Sequence, residues 1–132
     1  MADTLHHRGL APGDARDFAP AHWPGLRQAT VELSWLLSHG YGADSSLKLV
    51  GDRHVLTARQ RLAVRRCAAS EQACANRRQR QVGLEQLRGR EMALDGLNIL
   101  LTLETALSGG ILLRGRDGCL RDMASVHGSY RR

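Results

Sequence analysis

Asp95 and Asn98 are the residues whose position in the sequence most suggests chemistry. They follow a short apolar run, residues 91–94, with the length of a buried strand, and they begin a long apolar segment rich in helix-forming residues. Asp95 is therefore predicted at the carboxyl end of a strand. In open α/β sheets this edge binds ligands and metals, because the loops leave a crevice into which the next helix points its N-terminus. The alternative is structural, since an acid before a helix can cap the free amides of the first turn.

The composition indicates a mostly helical, soluble protein. Aromatic residues make up only 4% of the 132 residues, so the core has to be built from Leu, Ala, Val and Ile, which suits helices. The length allows one domain, or a helical module joined to part of a second one. The three cysteines form no CxxC pair, no apolar run approaches the roughly 18 residues that span a bilayer, and the first residues lack the apolar stretch of a signal peptide. The chain is therefore predicted to be cytoplasmic, with no membrane partner.

Positive charge is concentrated in the middle of the chain. The whole chain carries a formal charge of +6, whereas residues 53–90 hold ten arginines against Glu71 and Glu85, a local excess of +8 (ten minus two). Because arginine pairs with phosphate through two hydrogen bonds, RNA or another polyanion is the predicted partner. The alternative is a solvated, arginine-rich face without a specific partner. The predicted nucleic-acid-binding residues are Arg53, Arg59, Arg61, Arg65, Arg66, Arg77 and Arg78.

The first part of the chain is predicted to be a flexible lead-in, residues 1–25, followed by a helical basic module, residues 26–82. The lead-in contains prolines, glycines and the pair His6-His7 without any sustained period. Residues 26–39 place apolar side chains at i, i+3, i+4 and i+7, which predicts an amphipathic helix. Trp35 lies off this apolar stripe, and it is assigned to core packing, with stacking on nucleic acid as the alternative.

The helices of the basic module are separated by a predicted loop. Residues 47–50 form a short apolar patch, and Asp52, Arg53 and His54 then bring an acid, a cation and an imidazole into one loop. That loop serves either solubility or a binding site. The segment Thr57–Gln60 has the form of a capping box, so a basic helix is predicted to begin at Ala58. A polar linker, residues 79–89, is expected after it.

The last part, residues 90–132, is predicted to be a short and incomplete α/β segment of strand, helix and strand. The helix after Asp95 is apolar nearly all round, so we expect it to be buried on most sides. Residues 111–113 are the second strand candidate, residues 114–118 form a turn with an Asp-Gly signal, and residues 119–127 form a helix or a strand. The predicted fold class is α+β, mostly helical, with the helical module first and the α/β segment after it.

Several stretches of the chain resemble a prokaryotic family known as domain of unknown function 434. These are residues 36–41, 49–53, 59–61 and 94–98, and residues 126–131 resemble a later signature of that family, so that the resemblance extends from Leu26 to the end. The C-terminal part is similar in outline to PIN and NYN nuclease domains, where a strand ends in an aspartate followed by Gly-x-Asn. This resemblance implies that Asp95 is a catalytic residue and metal ligand, and that Asn98 orients the acid or the scissile phosphate.

Metal-dependent hydrolysis of RNA needs several acids around Mg²⁺ or Mn²⁺. Only Glu104, Asp117 and Asp122 follow Asp95 in the sequence, and they complete the predicted ligand set. A whole PIN-like sheet needs more strands than residues 90–132 can form, which puts catalysis in doubt. The rival hypothesis is therefore a non-enzymatic interaction module, in which the unpaired sheet edge and the apolar helix are completed by another chain or by a second copy, giving a homo-oligomer.

Overall fold

The protein is described by a computed structural model that covers residues 9–124. His6-His7 and the signature at residues 126–131 lie outside these described residues. The predicted fold class is confirmed, because the described chain is a mostly helical α+β structure with one two-stranded sheet. Its elements are α1 (Asp14–Asp17), a 3₁₀ helix (Pro20–His22), α2 (Trp23–Ser38), α3 (Ala43–Arg53), α4 (Ala58–Cys67), α5 (Glu71–Arg80), α6 (Leu84–Leu87), α7 (Gly96–Leu107), β1 (Leu112–Arg114) and β2 (Leu120–Asp122).

The core surrounds α2, which packs against α3, α4 and α5. The predicted apolar stripe of α2 is confirmed, since Ala29 and Leu33 are fully buried in one cluster with Val50 of α3 and Val64 of α4. Each of these helices buries one face, as its apolar period requires. The N-terminal helices thus form a bundle around α2.

The predicted capping box at the start of α4 is present. The Thr57 hydroxyl accepts a hydrogen bond from the Gln60 amide at 3.2 Å, and the Gln60 side chain accepts one from the Thr57 amide at 3.0 Å. Two amides that the first turn leaves without partners are satisfied in this way. α4 therefore begins at Ala58, as the sequence predicts.

Helix α3 occupies most of the region that was predicted as an apolar patch and a loop. Asp52 and Arg53 lie in its last turn, and His54 is its C-cap residue. Gly51 lies inside the helix and is buried. A Cβ atom at this position would come within 2.6 Å of the Arg61 guanidinium, so the glycine is explained by the close approach of α4 and not by a turn.

The predicted flexible lead-in is wrong for its described part. Residues 14–17 form α1, and the Asp14 and Asp17 side chains are buried against α4. Arg59 of α4 donates two hydrogen bonds to Asp14, from Nε at 2.9 Å and from Nη2 at 3.2 Å. The Thr57 hydroxyl donates to Asp17 at 3.0 Å, so charged and polar side chains hold this segment in place.

The C-terminal segment differs from the predicted order of strand, helix and strand. Residues 91–94 form no strand and are exposed, because no described strand lies beside them to supply hydrogen bonds. Both strands follow α7 and pair antiparallel, with Leu113 opposite Arg121. The predicted Asp-Gly turn is confirmed, since Gly118 between the strands has a φ of 80°. The segment is therefore a helix followed by a β-hairpin.

Candidate functional site

Asp95 and Asn98 bond to each other at the start of α7. The Asn98 side-chain amide donates a hydrogen bond to the Asp95 carboxylate at 2.6 Å. Asp95 occupies the N-cap position, yet its side chain accepts no hydrogen bond from a backbone amide of the first turn. The structure thus brings together the two residues that were predicted to be catalytic, at an exposed bend that follows no strand.

The other predicted metal ligands are held apart by different partners. Asp117 is buried in the hairpin turn, where it accepts hydrogen bonds from Arg77 at 2.7 Å and from Arg121 at 2.6 Å. The Arg121 guanidinium holds the pKa of Asp117 well below its usual range, and burial only partly opposes this. Asp122 accepts a hydrogen bond from the Thr102 hydroxyl at 2.9 Å. These contacts satisfy the carboxylates with protein donors.

The described residues contain no group of three or more His, Cys, Asp or Glu side chains that could hold a metal ion. Asp95, Glu104, Asp117 and Asp122 are therefore not brought into one cluster. Hard cations require several oxygen ligands at once, so this arrangement gives Mg²⁺ or Mn²⁺ no multidentate acidic site. Binding of either ion stays a prediction from the resemblance.

Six of the seven predicted nucleic-acid-binding arginines form ion pairs or hydrogen bonds with other residues of the protein. Arg66 reaches from α4 to the end of β2 and donates to the carbonyls of Asp122 at 2.5 Å and Ala124 at 2.8 Å. Arg78 has no ion pair among the residues that the structure describes. The other five arginines form ion pairs at 2.6–3.6 Å, namely Arg53 with Glu32, Arg59 with Asp14, Arg61 with Asp52, Arg65 with Asp44 and Arg77 with Asp117.

A shallow groove of about 540 Å³ lies between α2 and α3, and its walls are mainly apolar. Trp35 lines it and is more than half exposed, so its predicted role in the core is wrong; its ring stacks on His39 with centroids 3.9 Å apart. His54 contacts Glu32 of α2 at 2.8 Å. Partial burial raises the pKa of Glu32, but hydrogen bonds from His54 and Gln28 outweigh this and lower it.

Helix α7 leaves a whole apolar face uncovered. Its buried residues, Leu101 and Thr105, face the hairpin side of the helix. With about 100° between successive residues, the opposite side of the helix carries a second apolar stripe. The prediction that α7 is buried on most sides is therefore wrong, because the described chain covers only one side. The exposed stripe, called the α7 face below, consists of Ile99, Leu100, Leu103 and Leu107.

The α7 face contains no charged side chain, and its exposure is large. Leu107 is 90% exposed, Leu100 60% and Leu103 53%. Single exposed leucines are ordinary on protein surfaces, but a contiguous stripe of them marks a binding surface. The sequence carried the signal for this surface, since a helix that is apolar all round has to be covered on all sides.

Two family models match different parts of the chain. Residues 25–80 match the family described as Protein of unknown function (DUF434). Residues 84–132 match a second family, described as Domain of unknown function (DUF5616). The predicted resemblance is thus confirmed for residues 25–80, whereas the C-terminal part matches a different family. The comparisons give no support to a PIN- or NYN-like segment.

The chain is also similar to the uncharacterized protein MJ0935 of Methanocaldococcus jannaschii. The two are 26% identical over 106 residues, which cover 80% of this chain and 51% of the relative. The chain therefore spans about half the length of this curated relative. No solved structure matches the chain. Among the described helices, none combines the length and the apolarity of a membrane-spanning segment.

Proposed function

We propose that the protein is a non-enzymatic interaction module that associates with a second copy of itself through the α7 face. The observation that carries the proposal is the position of this apolar stripe, opposite the side of α7 that packs on the hairpin. Because the four side chains of this face carry no charge, they cannot form ion pairs with a polyanion. A second copy presents the same apolar surface, so two copies complement each other about a two-fold axis.

The size of the α7 face favours a weak and reversible dimer. A 12-residue helix is about 18 Å long, so one helix pair buries less than the roughly 800 Å² per partner that stable interfaces reach. The exposed fractions of these four side chains add up to the surface of roughly two to three whole leucines per copy. Burying that surface contributes about 4–7 kcal/mol per copy, at 1.5–3 kcal/mol for each leucine. Two copies gain about twice this, from which an association cost of about 4–15 kcal/mol is subtracted. A cost near the middle of this range, about 9–10 kcal/mol, leaves at most about 4–5 kcal/mol, which corresponds to dissociation constants close to millimolar or weaker.

Sedimentation velocity of the full chain from micromolar to millimolar concentration tests the proposal. The wild type should show reversible, concentration-dependent dimers, and Leu100→Glu should abolish them. Burying Leu100 contributes about 1–2 kcal/mol per copy, so the substitution should weaken the dimer at least about 30-fold.

Leu49→Glu is the matched control, because Leu49 is 64% exposed on helix α3, outside the α7 face. It adds the same charge at a similarly exposed helical position, and it should leave the dimer unchanged. A wild type that stays monomeric at all concentrations refutes the proposal. Dimers that are lost in Leu49→Glu and kept in Leu100→Glu would place the interface at the α2–α3 groove instead.

A further inference from the structure

The ion pairs of the structure divide the ten arginines of residues 53–90 into two sets. Six of them are held by acids or carbonyl groups, as described above. The side chains of the remaining four have no hydrogen bond, ion pair or ring contact among the described residues, and all four residues are exposed. They lie close together in the sequence, in the last turn of α5 and in the segment that follows: Arg78, Arg80, Arg88 and Arg90.

We infer that this second set, called the free arginine segment, binds the phosphate backbone of nucleic acid. The segment from Arg78 to Arg90 holds one acid, Glu85, so its local charge is +3 (four minus one). A guanidinium without a protein partner offers its donors to a phosphate, which it can bind through two hydrogen bonds. This inference does not rest on the proposed dimer, because the α7 face and the free arginine segment share no residue.

The end of helix α5 explains only part of this arrangement. Basic residues in a last helical turn interact favourably with the helix dipole, which accounts for Arg78 and Arg80 without any ligand. Arg88 and Arg90 lie outside the helices, in a turn whose residues are exposed. Glu85 balances only one of these four exposed cations, and bound phosphates would balance the remaining positive charge.

The chemistry of the segment indicates what kind of recognition to expect. No aromatic residue lies between Arg78 and Arg90, so bases have no ring on which to stack. Contacts to phosphates carry no sequence information and make the affinity depend on salt. Binding should therefore be independent of base sequence, and RNA and DNA of equal length should bind alike.

Fluorescence anisotropy with a labelled oligo-uridine of about 20 nucleotides tests the inference on the full chain. Four phosphate contacts on a single strand predict a log–log salt slope of about −2.8, which is an affinity loss of about 50-fold between 50 and 200 mM salt. In Arg88→Gln/Arg90→Gln the slope should fall to about −1.4, with a loss of about sevenfold over the same range. A thermal melt should show that this variant folds like the wild type, because neither side chain has a protein contact in the described chain.

The matched control removes the same number of charges from arginines that are exposed but paired. In Arg53→Gln/Arg65→Gln, the lost side chains are 72% and 52% exposed, and each is paired with an acid. The salt slope should stay near that of the wild type. Equal effects of the two double substitutions would show that binding follows net charge alone, which overturns the inference. Absence of wild-type binding, or equally tight binding of a polyglutamate of matched charge, overturns it as well.

Discussion

Replacing Arg59 separates a structural role from a nucleic-acid-binding role for the basic residues of α4. Arg59 binds the Asp14 carboxylate through two hydrogen bonds, and it also donates to the Met123 carbonyl at 3.3 Å. The Asp14 side chain is only 1% exposed, so water cannot replace the guanidinium when it is removed. Arg59→Met should therefore leave the buried Asp14 carboxylate without its ion-pair partner. An arginine whose role is to bind phosphate could instead be replaced without unfolding the protein.

The size of the effect follows from the environment of the pair. Removing one partner of a buried ion pair costs about 3–5 kcal/mol. The Arg59 side chain is itself 31% exposed, and the Ala11 amide continues to donate to Asp14 at 2.9 Å, so the lower end applies. We expect Arg59→Met to lower the free energy of unfolding by about 2–4 kcal/mol. Urea denaturation of the full chain at pH 7 measures this difference.

A double-mutant cycle with Asp14→Asn assigns the loss to the pair. Once the carboxylate is neutral, removal of Arg59 should cost at least about 1 kcal/mol less than it does in the wild type. Arg78→Met is the control, because the Arg78 side chain makes no hydrogen bond or ion pair in the described chain, and its effect should stay within about 0.5 kcal/mol. A loss below about 1 kcal/mol in Arg59→Met, or additive effects in the cycle, would refute the reasoning.

Three further predictions concern the hairpin turn, the start of α4 and the bend at Asp95. Arg121 depresses the pKa of Asp117 in the folded protein, so on acidification the Asp117 carboxylate takes up its proton in the unfolded chain first. The stability that Asp117 contributes is therefore complete above about pH 4 and is lost as the pH falls further. Asp117→Asn should flatten the dependence of the urea midpoint on pH between 6 and 3, and parallel curves for the two proteins would contradict this. Thr57→Ala should lower the free energy of unfolding by about 1–2 kcal/mol through loss of the cap and of the bond to Asp17, while Thr57→Ser should restore most of it in the same assay. In thermal melts with millimolar Mn²⁺, wild type and Asp95→Asn should show the same midpoint with and without the ion, because no group of three or more possible ligands includes Asp95 among the described residues. A Mn²⁺-dependent rise that Asp95→Asn removes would restore the predicted metal site.

Features encoded by neighbouring residues could be predicted from the sequence. The apolar stripe of α2, the capping box of α4 and the Asp-Gly turn of the hairpin all depend on residues within one or two turns of chain. Helix α3 was missed because the charged residues 52–54 were interpreted as a loop, whereas the structure continues the helix through Gly51, against which the Arg61 side chain of α4 lies. The strand at residues 91–94 was predicted from composition alone, but a strand forms only where a neighbouring strand supplies hydrogen bonds.

Two of the predicted metal ligands contact two of the predicted nucleic-acid-binding arginines in the folded chain. Asp117 and Asp122 were predicted to bind a metal, and Arg66 and Arg77 to bind nucleic acid. In the structure Arg77 pairs with Asp117 at 2.7 Å, and Arg66 binds the backbone of Asp122, across separations of 40 and 56 residues. Residue types alone could not predict this outcome, because a carboxylate suits a cation and an arginine equally well.

Under both proposals, pairing is the property that separates binding residues from structural ones. An arginine that already has a buried or geometrically good acid partner gives up that interaction when it binds a phosphate, so its net gain is small. Arg78, Arg80, Arg88 and Arg90 give up no contact within the described residues. The same reasoning applies to the apolar side chains of α7, since Leu101 is already buried, whereas the side chains of the α7 face still gain free energy by leaving water. The side chains that the described chain leaves without a partner are therefore the ones at which we expect binding.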